Sequence, residues 1–267
     1  DGVNSRMQMA FCLVTMHTKE SFMSIIIINV IMDKILTKRN MVKVFGLLAL
    51  VYFLYSNPVI AQDEKKVSMD AGADFYSSYV WRGTQYGSGP SVQPSITLNA
   101  GIFSAGVWGS FDFNGYRESD LWFAFDLPAG FRLGMTDYYY PGLDYFDYSE
   151  NTGGHAFEIN TGFSKGGLDL SANYILNQAG NAGSAGSDIY AEARYSFNLF
   201  YSIIGAGSGW HTSLPADEKN KIRICNLGLG TVKEINISEK FTVPVNAQVI
   251  VNPDRKIMFL LLGFTIH

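Results

Sequence analysis

Acidic and basic side chains recur at alternate positions of several segments of this chain, a spacing that puts them on one face of β-strands. The acids outnumber the arginines, and an excess of one charge inside a water-filled channel concentrates ions of the opposite sign. This chemistry predicts a channel lumen with a mild preference for cations. The alternative is that acids and arginines pair into a network that fills a narrow barrel. The candidate lumen-lining residues are Asp70, Asp74, Arg82, Asp112, Asp126, Arg132, Glu158, Asp169, Asp188, Glu192, Arg194 and Arg223.

The histidines raise a second kind of chemistry, because barrel acyl hydrolases combine a serine, a histidine and an orienting amide or acid. His155 follows Ser149 by six residues, and His211 is followed closely by Ser213. Neither histidine has a recognised nucleophile context, so an acyl hydrolase is the less favoured alternative and we predict that the protein is not an enzyme. The sequence has no nucleotide-binding or zinc-ligand spacing, and neither a cofactor nor a metal is expected.

The elements that would position these side chains are clearest between His155 and Phe197. Apolar and polar residues alternate there in three successive runs, His155–Ser164, Leu168–Leu176 and Asp188–Phe197, and the apolar faces end in aromatic residues. Runs of about ten residues with this alternation are typical of membrane-spanning β-strands. In lipid all backbone polar groups must be paired, and among β-structures only a closed sheet achieves this.

The same alternation divides Gln62–His267 into about 12 strands, within a range of about 10–14. We therefore predict an all-β fold, a closed antiparallel up-and-down transmembrane β-barrel. Short and long connections alternate along the chain, which places both chain ends at one rim if the strand number is even. More specific expectations are a first strand over Val67–Arg82, a mobile loop over Gln178–Ser187, a bulge near Cys225–Asn226 and a turn over Lys233–Lys240.

The N-terminal segments are expected to lie outside the barrel domain. Residues 1–40 read as an over-extended upstream segment without structure, and residues 41–61 as a signal peptide, with Lys43 preceding an apolar run over Val44–Tyr55 and a small-residue cleavage site at Ala61. Residues 62–267 form the predicted barrel domain. The net charge of -4 offers no basic excess for binding nucleic acid.

Several stretches of the sequence resemble one group of bacterial proteins. Asp74–Gly83, followed by Ser91–Ser95, is similar to the N-terminal signature of the TorF-like family of porins and of related Gram-negative outer-membrane proteins without an assigned function. Tyr145–Tyr148 and Val243–Pro253 fit the same group, and the similarity extends over Gln62–His267. The resemblance implies an outer-membrane barrel with a porin-like role, and it supplies no catalytic residues.

Together these observations predict an exported outer-membrane channel for passive diffusion of small solutes. Its partners would be outer-membrane lipid and lipopolysaccharide, the barrel assembly machinery, and small solutes or ions. Phe264 near the C-terminus resembles the terminal assembly signal of bacterial barrels, although His267 replaces the usual final aromatic residue. A non-conducting surface-binding or structural barrel is the alternative, with the tyrosine-rich loop Pro141–Gly154 as its recognition element or as a constriction folded into the lumen.

Overall fold

The computed structural model of the chain describes residues 67–215, 218–239 and 241–267. The predicted upstream segment (1–40), the signal peptide (41–61) and the first residues of the barrel domain lie outside this part. Among the described residues, no helix is long and apolar enough to cross a membrane.

Twelve antiparallel strands close into one barrel, which confirms the predicted fold class. Each strand pairs with its neighbours in sequence, and the first strand pairs with the last. The wall strands are β1 Ser68–Tyr76, β2 Ser91–Ala100, β3 Phe103–Asp112, β4 Arg117–Asp126, β5 Phe131–Tyr139, β6 His155–Lys165, β7 Leu168–Ile175, β8 Ile189–Phe197, β9 Phe200–Gly207, β10 Arg223–Ser238, β11 Phe241–Asn252 and β12 Ile257–Ile266.

The alternation of residue types decides which side of the wall faces inward. Glu158 and Asn173 are buried inside the barrel, whereas Leu98, Leu121 and Leu260 are exposed on its outer surface. An outer surface of exposed apolar side chains is stable when lipid rather than water covers it. The polar lumen and apolar exterior therefore follow directly from the period-two pattern.

Connections differ between the two rims. One rim, here called the short-turn end, carries tight turns such as Gly166–Gly167, while the other, the long-loop end, carries segments such as 77–90, 140–154 and 208–222. Outward-facing aromatic pairs pack against each other across strands near the short-turn end, with ring centroids 5.4 Å apart for the tilted rings of Phe103 and Phe125. With twelve strands, β1 begins and β12 ends at the short-turn end.

The first predicted strand is wrong in its extent. The wall strand β1 ends at Tyr76, and Tyr79–Trp81 instead pairs with Thr84–Tyr86 in a separate two-stranded ladder, here called the inner hairpin. Residues 79–81 continue the same alternation, so the pattern alone could not show that they leave the wall. The hairpin turns at Arg82 and Gly83, whose φ angles of 50° and 78° are both positive, as a two-residue type I′ turn requires.

Later parts of the chain give mixed outcomes. The bulge is confirmed: Gly205 pairs with Asn226 and Ala206 with Ile224, which leaves Cys225 as the extra residue of β10. The predicted turn over Lys233–Lys240 is wrong, because the strand continues to Ser238. The segment expected to be a mobile loop, 178–187, contains a short ladder in which Gln178 pairs with Ala185.

Candidate functional site

The inner hairpin crosses the lumen from wall to wall. On one side, Asn252 Nδ2 of β11 donates a hydrogen bond of 2.9 Å to the Gly83 carbonyl. On the other, the Trp81 ring packs edge-on against Tyr138 of β5, with centroids 5.4 Å apart. These two strands are six positions apart in the closed order of twelve, so they lie on opposite walls. The hairpin therefore spans the barrel near its long-loop end.

Gly83 is required where the hairpin meets the wall. A Cβ at this position would lie 1.9 Å from the Cys225 carbonyl oxygen, far inside van der Waals contact. Gly83 also has a φ of 78°, which glycine adopts without steric cost. The bulge at Cys225 and the turn of the hairpin thus fit each other closely.

A buried ion pair fixes the tip of the hairpin. Arg82 Nη1 and Nη2 donate to Glu158 Oε2 and Oε1 at 2.6 and 2.8 Å, a two-pronged geometry that suits guanidinium and carboxylate. The side chains are 11% and 0% exposed. Tyr138 and Asn160 also donate to Glu158, at 2.8 and 2.6 Å. Because the carboxylate is fully hydrogen-bonded, burial of the pair is tolerated, whereas loss of one partner would leave an unpaired buried charge.

Aromatic rings enclose the Arg82 guanidinium on two sides. Its central carbon lies 4.2 Å from the Trp81 ring centroid and 4.5 Å from that of Tyr190. His211, in the loop that follows β9, places Nε2 3.4 Å from Arg82 Nη1 and packs its ring against Tyr190. Burial lowers the pKa of His211 well below its ordinary value, and the Arg82 charge lowers it further, so the imidazole is neutral.

A cavity of about 560 Å³ occupies the lumen between the inner hairpin and the short-turn end. Tyr79 and Trp81 of the hairpin line one part of it, and Arg132, near the start of β5, lines another. Its wall also carries two carboxylates, Asp74 and Asp120. The cavity is thus a mixed polar and aromatic chamber with acidic groups.

Three of the predicted lumen acids form an ion pair or a hydrogen bond with a neighbouring residue at or near the short-turn end. Asp126 pairs with Arg132 at 2.6 Å, but these side chains are 57% and 44% exposed, so the pair is screened by water. Asp70 accepts a hydrogen bond from Asn99 at 2.9 Å. Asp169 accepts one from Ser164 at 2.5 Å.

Three other predicted lumen residues lie on β1 (Asp74) and β8 (Glu192 and Arg194). Asp74 accepts a hydrogen bond from Thr265 Oγ1 at 2.5 Å. Glu192 accepts from Tyr190 and, at 2.9 Å, from Asn226 Nδ2. The Arg194 guanidinium lies 3.9 Å from the Tyr201 ring centroid. Each of these residues is thus in contact with a hydroxyl, amide or ring group of a neighbouring residue.

Three predicted lumen residues lie at the long-loop end instead of deep in the lumen. Asp112 binds loop backbone: it accepts from the N–H groups of Ser88, Asn114 and Tyr116. Asp188 accepts a hydrogen bond of 3.1 Å from a backbone N–H of the loop after β9. Burial raises the pKa of the Asp188 carboxyl. Arg223 is exposed at the first position of β10.

Two buried acids were missed by the sequence analysis. Glu118 and Asp120 are 3% and 6% exposed on the inner face of β4. The sequence pattern predicts a loop over 114–119 and a strand that begins at Leu121, so neither acid is among the predicted lumen residues. Extending the alternation backwards from Asp126 through Trp122 would have placed both acids in the lumen.

His155 lies on the outer face of the wall and binds the loop 140–154. Its Nε2 donates to the Tyr145 carbonyl at 2.7 Å, and its Nδ1 is 2.9 Å from Asp137 Oδ1. Ser149 hydrogen-bonds Thr152 instead, with their hydroxyl oxygens 2.9 Å apart. Both ring nitrogens of His155 are therefore hydrogen-bonded, Nε2 to the loop and Nδ1 to the wall strand β5.

The fold and the lumen define a closed 12-stranded antiparallel β-barrel with an inserted hairpin. No protein-family model matches the chain, and no curated protein matches it significantly.

Proposed function

We propose that this protein is an outer-membrane channel for small solutes, with a preference for cations, whose bore is narrowed by the inner hairpin. The observation that carries the proposal is the chamber of about 560 Å³ inside a barrel with an apolar outer surface. The proposal includes export through the segment 41–61, assembly into the outer membrane among lipid and lipopolysaccharide, and membership of the TorF-like family. Residues 74–83, 91–95, 145–148 and 243–253 support that membership by resemblance.

Charge in the lumen supports cation preference. Arg82 and Arg132 are each bound to one carboxylate, so their charges are locally balanced. Among the described residues, no ion pair involves Asp74, Asp120 or Glu192. These three acids outnumber Arg194, a lumen arginine that is in contact with the Tyr201 ring, so acidic groups remain in excess, and such an excess concentrates cations over anions.

The hairpin can act as a movable constriction because it is not part of the wall. Its backbone ladder, Tyr79–Tyr86 to Trp81–Thr84, pairs only with itself. It is held in the lumen by side-chain contacts, the Arg82–Glu158 pair and the bond from Asn252 to Gly83. Its departure would leave all twelve wall strands paired, so opening breaks no backbone hydrogen bond between wall strands.

Single-channel recording of the purified protein in a planar bilayer tests the proposal. The wild type is compared with a variant in which 79–86 is replaced by a short Gly-Ser linker. We expect rare, small conductance steps for the wild type, larger and more frequent steps for the variant, and a cation-selective reversal potential in a salt gradient. If neither protein conducts although both are folded and heat-modifiable, the channel proposal fails.

A non-conducting barrel that binds partners at the cell surface is the second candidate. The contacts of the hairpin with opposite walls favour this candidate, since they hold the hairpin across the lumen, where it blocks passage. The loop 140–154, with Phe146 82% exposed, would then be the contact surface. In that case the wild-type protein stays silent in the bilayer, and deletion of the loop abolishes binding to surfaces while the barrel remains folded. The acyl hydrolase gains no support from His155, whose ring nitrogens are both occupied.

A further inference from the structure

One carboxylate oxygen in the lumen chamber has no hydrogen-bond partner among the described residues. Asp120 is 6% exposed, lines the chamber, and its Oδ1 has no hydrogen-bond partner among the described residues. Burying a carboxylate oxygen without a donor is unfavourable, and such groups in proteins are normally satisfied by a partner, an ion or a ligand. The position of Asp120 therefore calls for a hydrogen-bond donor or a cation from within the chamber.

The surroundings of this carboxylate are aromatic. On the same face of the sheet, Asp120 pairs across the strands with Trp108 on one side and Tyr138 on the other. Directly opposite residues of neighbouring strands have Cβ atoms about 5 Å apart, so both rings flank the carboxylate. Tyr79 of the inner hairpin extends this wall, with its ring centroid 5.5 Å from that of Trp108.

The acidic groups that line the chamber favour a ligand with a positive charge. Asp74 also lines it and accepts a hydrogen bond from Thr265, but neither Asp74 nor Asp120 has a cationic partner in the described part of the chain. The cation that lines the chamber, Arg132, is bound to Asp126. The chamber thus presents acidic groups without a cationic partner in the described strands and loops, together with ring faces.

We propose that the chamber is a binding site for a small organic cation carrying an ammonium group, with Asp120 as its counter-ion and Trp108, Tyr138 and Tyr79 as its walls. Ring faces attract ammonium groups through their quadrupole, and a carboxylate beside them supplies the opposite charge. A neutral sugar would bring no positive charge to the two carboxyl groups, and an anion would be disfavoured beside them. The inference deepens the proposed function by naming its solute class, and it rests on that function only for transport.

Choline is a suitable probe, and 3,3-dimethylbutan-1-ol is its neutral analogue of nearly the same shape. Each is titrated into the folded protein in detergent micelles by calorimetry, with tryptophan fluorescence as a second signal. We expect saturable one-site binding of choline and at least about tenfold weaker binding of the alcohol, because a contact with a charged group is lost. Equal binding of the two compounds, or no saturable binding of choline, would overturn the proposal without reference to any variant.

Two matched variants locate the site. Asp120→Asn should weaken choline binding at least about tenfold, since it removes the counter-ion with little change in shape. Asp169→Asn removes the same charge from a lumen residue that does not line the chamber, and should change affinity less than about twofold. Equal losses in both variants would mean that only the general lumen field attracts the cation, and would overturn the site. Because binding at equilibrium needs no conductance, a protein that conducts without binding choline contradicts this site alone, while one that binds without conducting contradicts the channel.

Discussion

Replacing Glu158 by Gln should release the inner hairpin from the lumen. The variant keeps an acceptor for Tyr138 but removes the charge that balances Arg82, whose side chain is 11% exposed. Breaking a buried ion pair by removing one partner costs about 3–5 kcal/mol. Gln still accepts hydrogen bonds, so the lower limit of about 3 kcal/mol applies, and at about 1.4 kcal/mol per factor of ten the released population should rise about 100-fold.

Trypsin can measure this population. Arg82 is the one basic residue of the inner hairpin, and it is nearly inaccessible while the hairpin is clamped. Cleavage after Arg82 creates a new N-terminus at Gly83, which mass spectrometry identifies. When opening and closing are fast, the cleavage rate follows the open population, so we expect an increase of about 100-fold in Glu158→Gln.

Asp126→Asn is the matched control, because it breaks the other arginine–carboxylate pair of the lumen. That pair is 57% and 44% exposed, and exposed pairs contribute about 0–1 kcal/mol. It does not touch the inner hairpin, so cleavage after Arg82 should stay at the wild-type rate. If Glu158→Gln is cleaved no faster than this control, the ion pair does not hold the hairpin and the reasoning from burial is refuted.

Three further changes test other contacts. Gly83→Ala forces a Cβ into the wall and should speed cleavage after Arg82. Gly166→Ala is the control, because Gly166 also has a positive φ but lies in open space, and this variant should be cleaved at the wild-type rate. Similar cleavage rates in the two variants would contradict the close fit of hairpin and bulge. Because burial and the Arg82 charge depress the pKa of His211, the folded state keeps this ring neutral while the unfolded chain takes up a proton below about pH 6.5. The contacts that hold the inner hairpin should therefore weaken as the pH falls from about 7 to 5, and cleavage after Arg82 should become faster. His211→Gln should flatten this dependence of the cleavage rate on pH. An unchanged slope would exclude His211 as its source. His155→Gln should expose the loop 140–154 to chymotrypsin while the barrel stays folded, and continued protection would show that other contacts hold the loop.

The barrel itself could be predicted because its cause is local. Alternation along each strand sets which side chains face lipid or lumen, and a phase shift in that alternation located the bulge at Cys225. The even strand number followed from counting the same runs. These features need only the sequence within each strand.

The inner hairpin and the ion pair could not be predicted, because they depend on residues far apart in sequence. Arg82 and Glu158 are 76 positions apart, and nothing in the spacing of either residue indicates the other. Tyr79 and Trp81 alternate as wall residues do, although they pair with their own hairpin. Asp120 was missed for a simpler reason, since the start of β4 was set too late.

The closure of the barrel at β1 has a consequence for the order of assembly. β1 pairs with β2 over nine residue pairs but with β12 over only four, from Ala73–Ile266 to Tyr76–Gly263. The inner hairpin follows this strand, whose pairing with β12 is short, and the residues that hold the hairpin, Glu158 and Asn252, lie on β6 and β11. Both of these residues lie far downstream of the hairpin in the chain, so we expect the hairpin to dock only after β6 and β11 are in place. We therefore expect the closing of the β1–β12 seam and the docking of the hairpin to be late events in barrel formation.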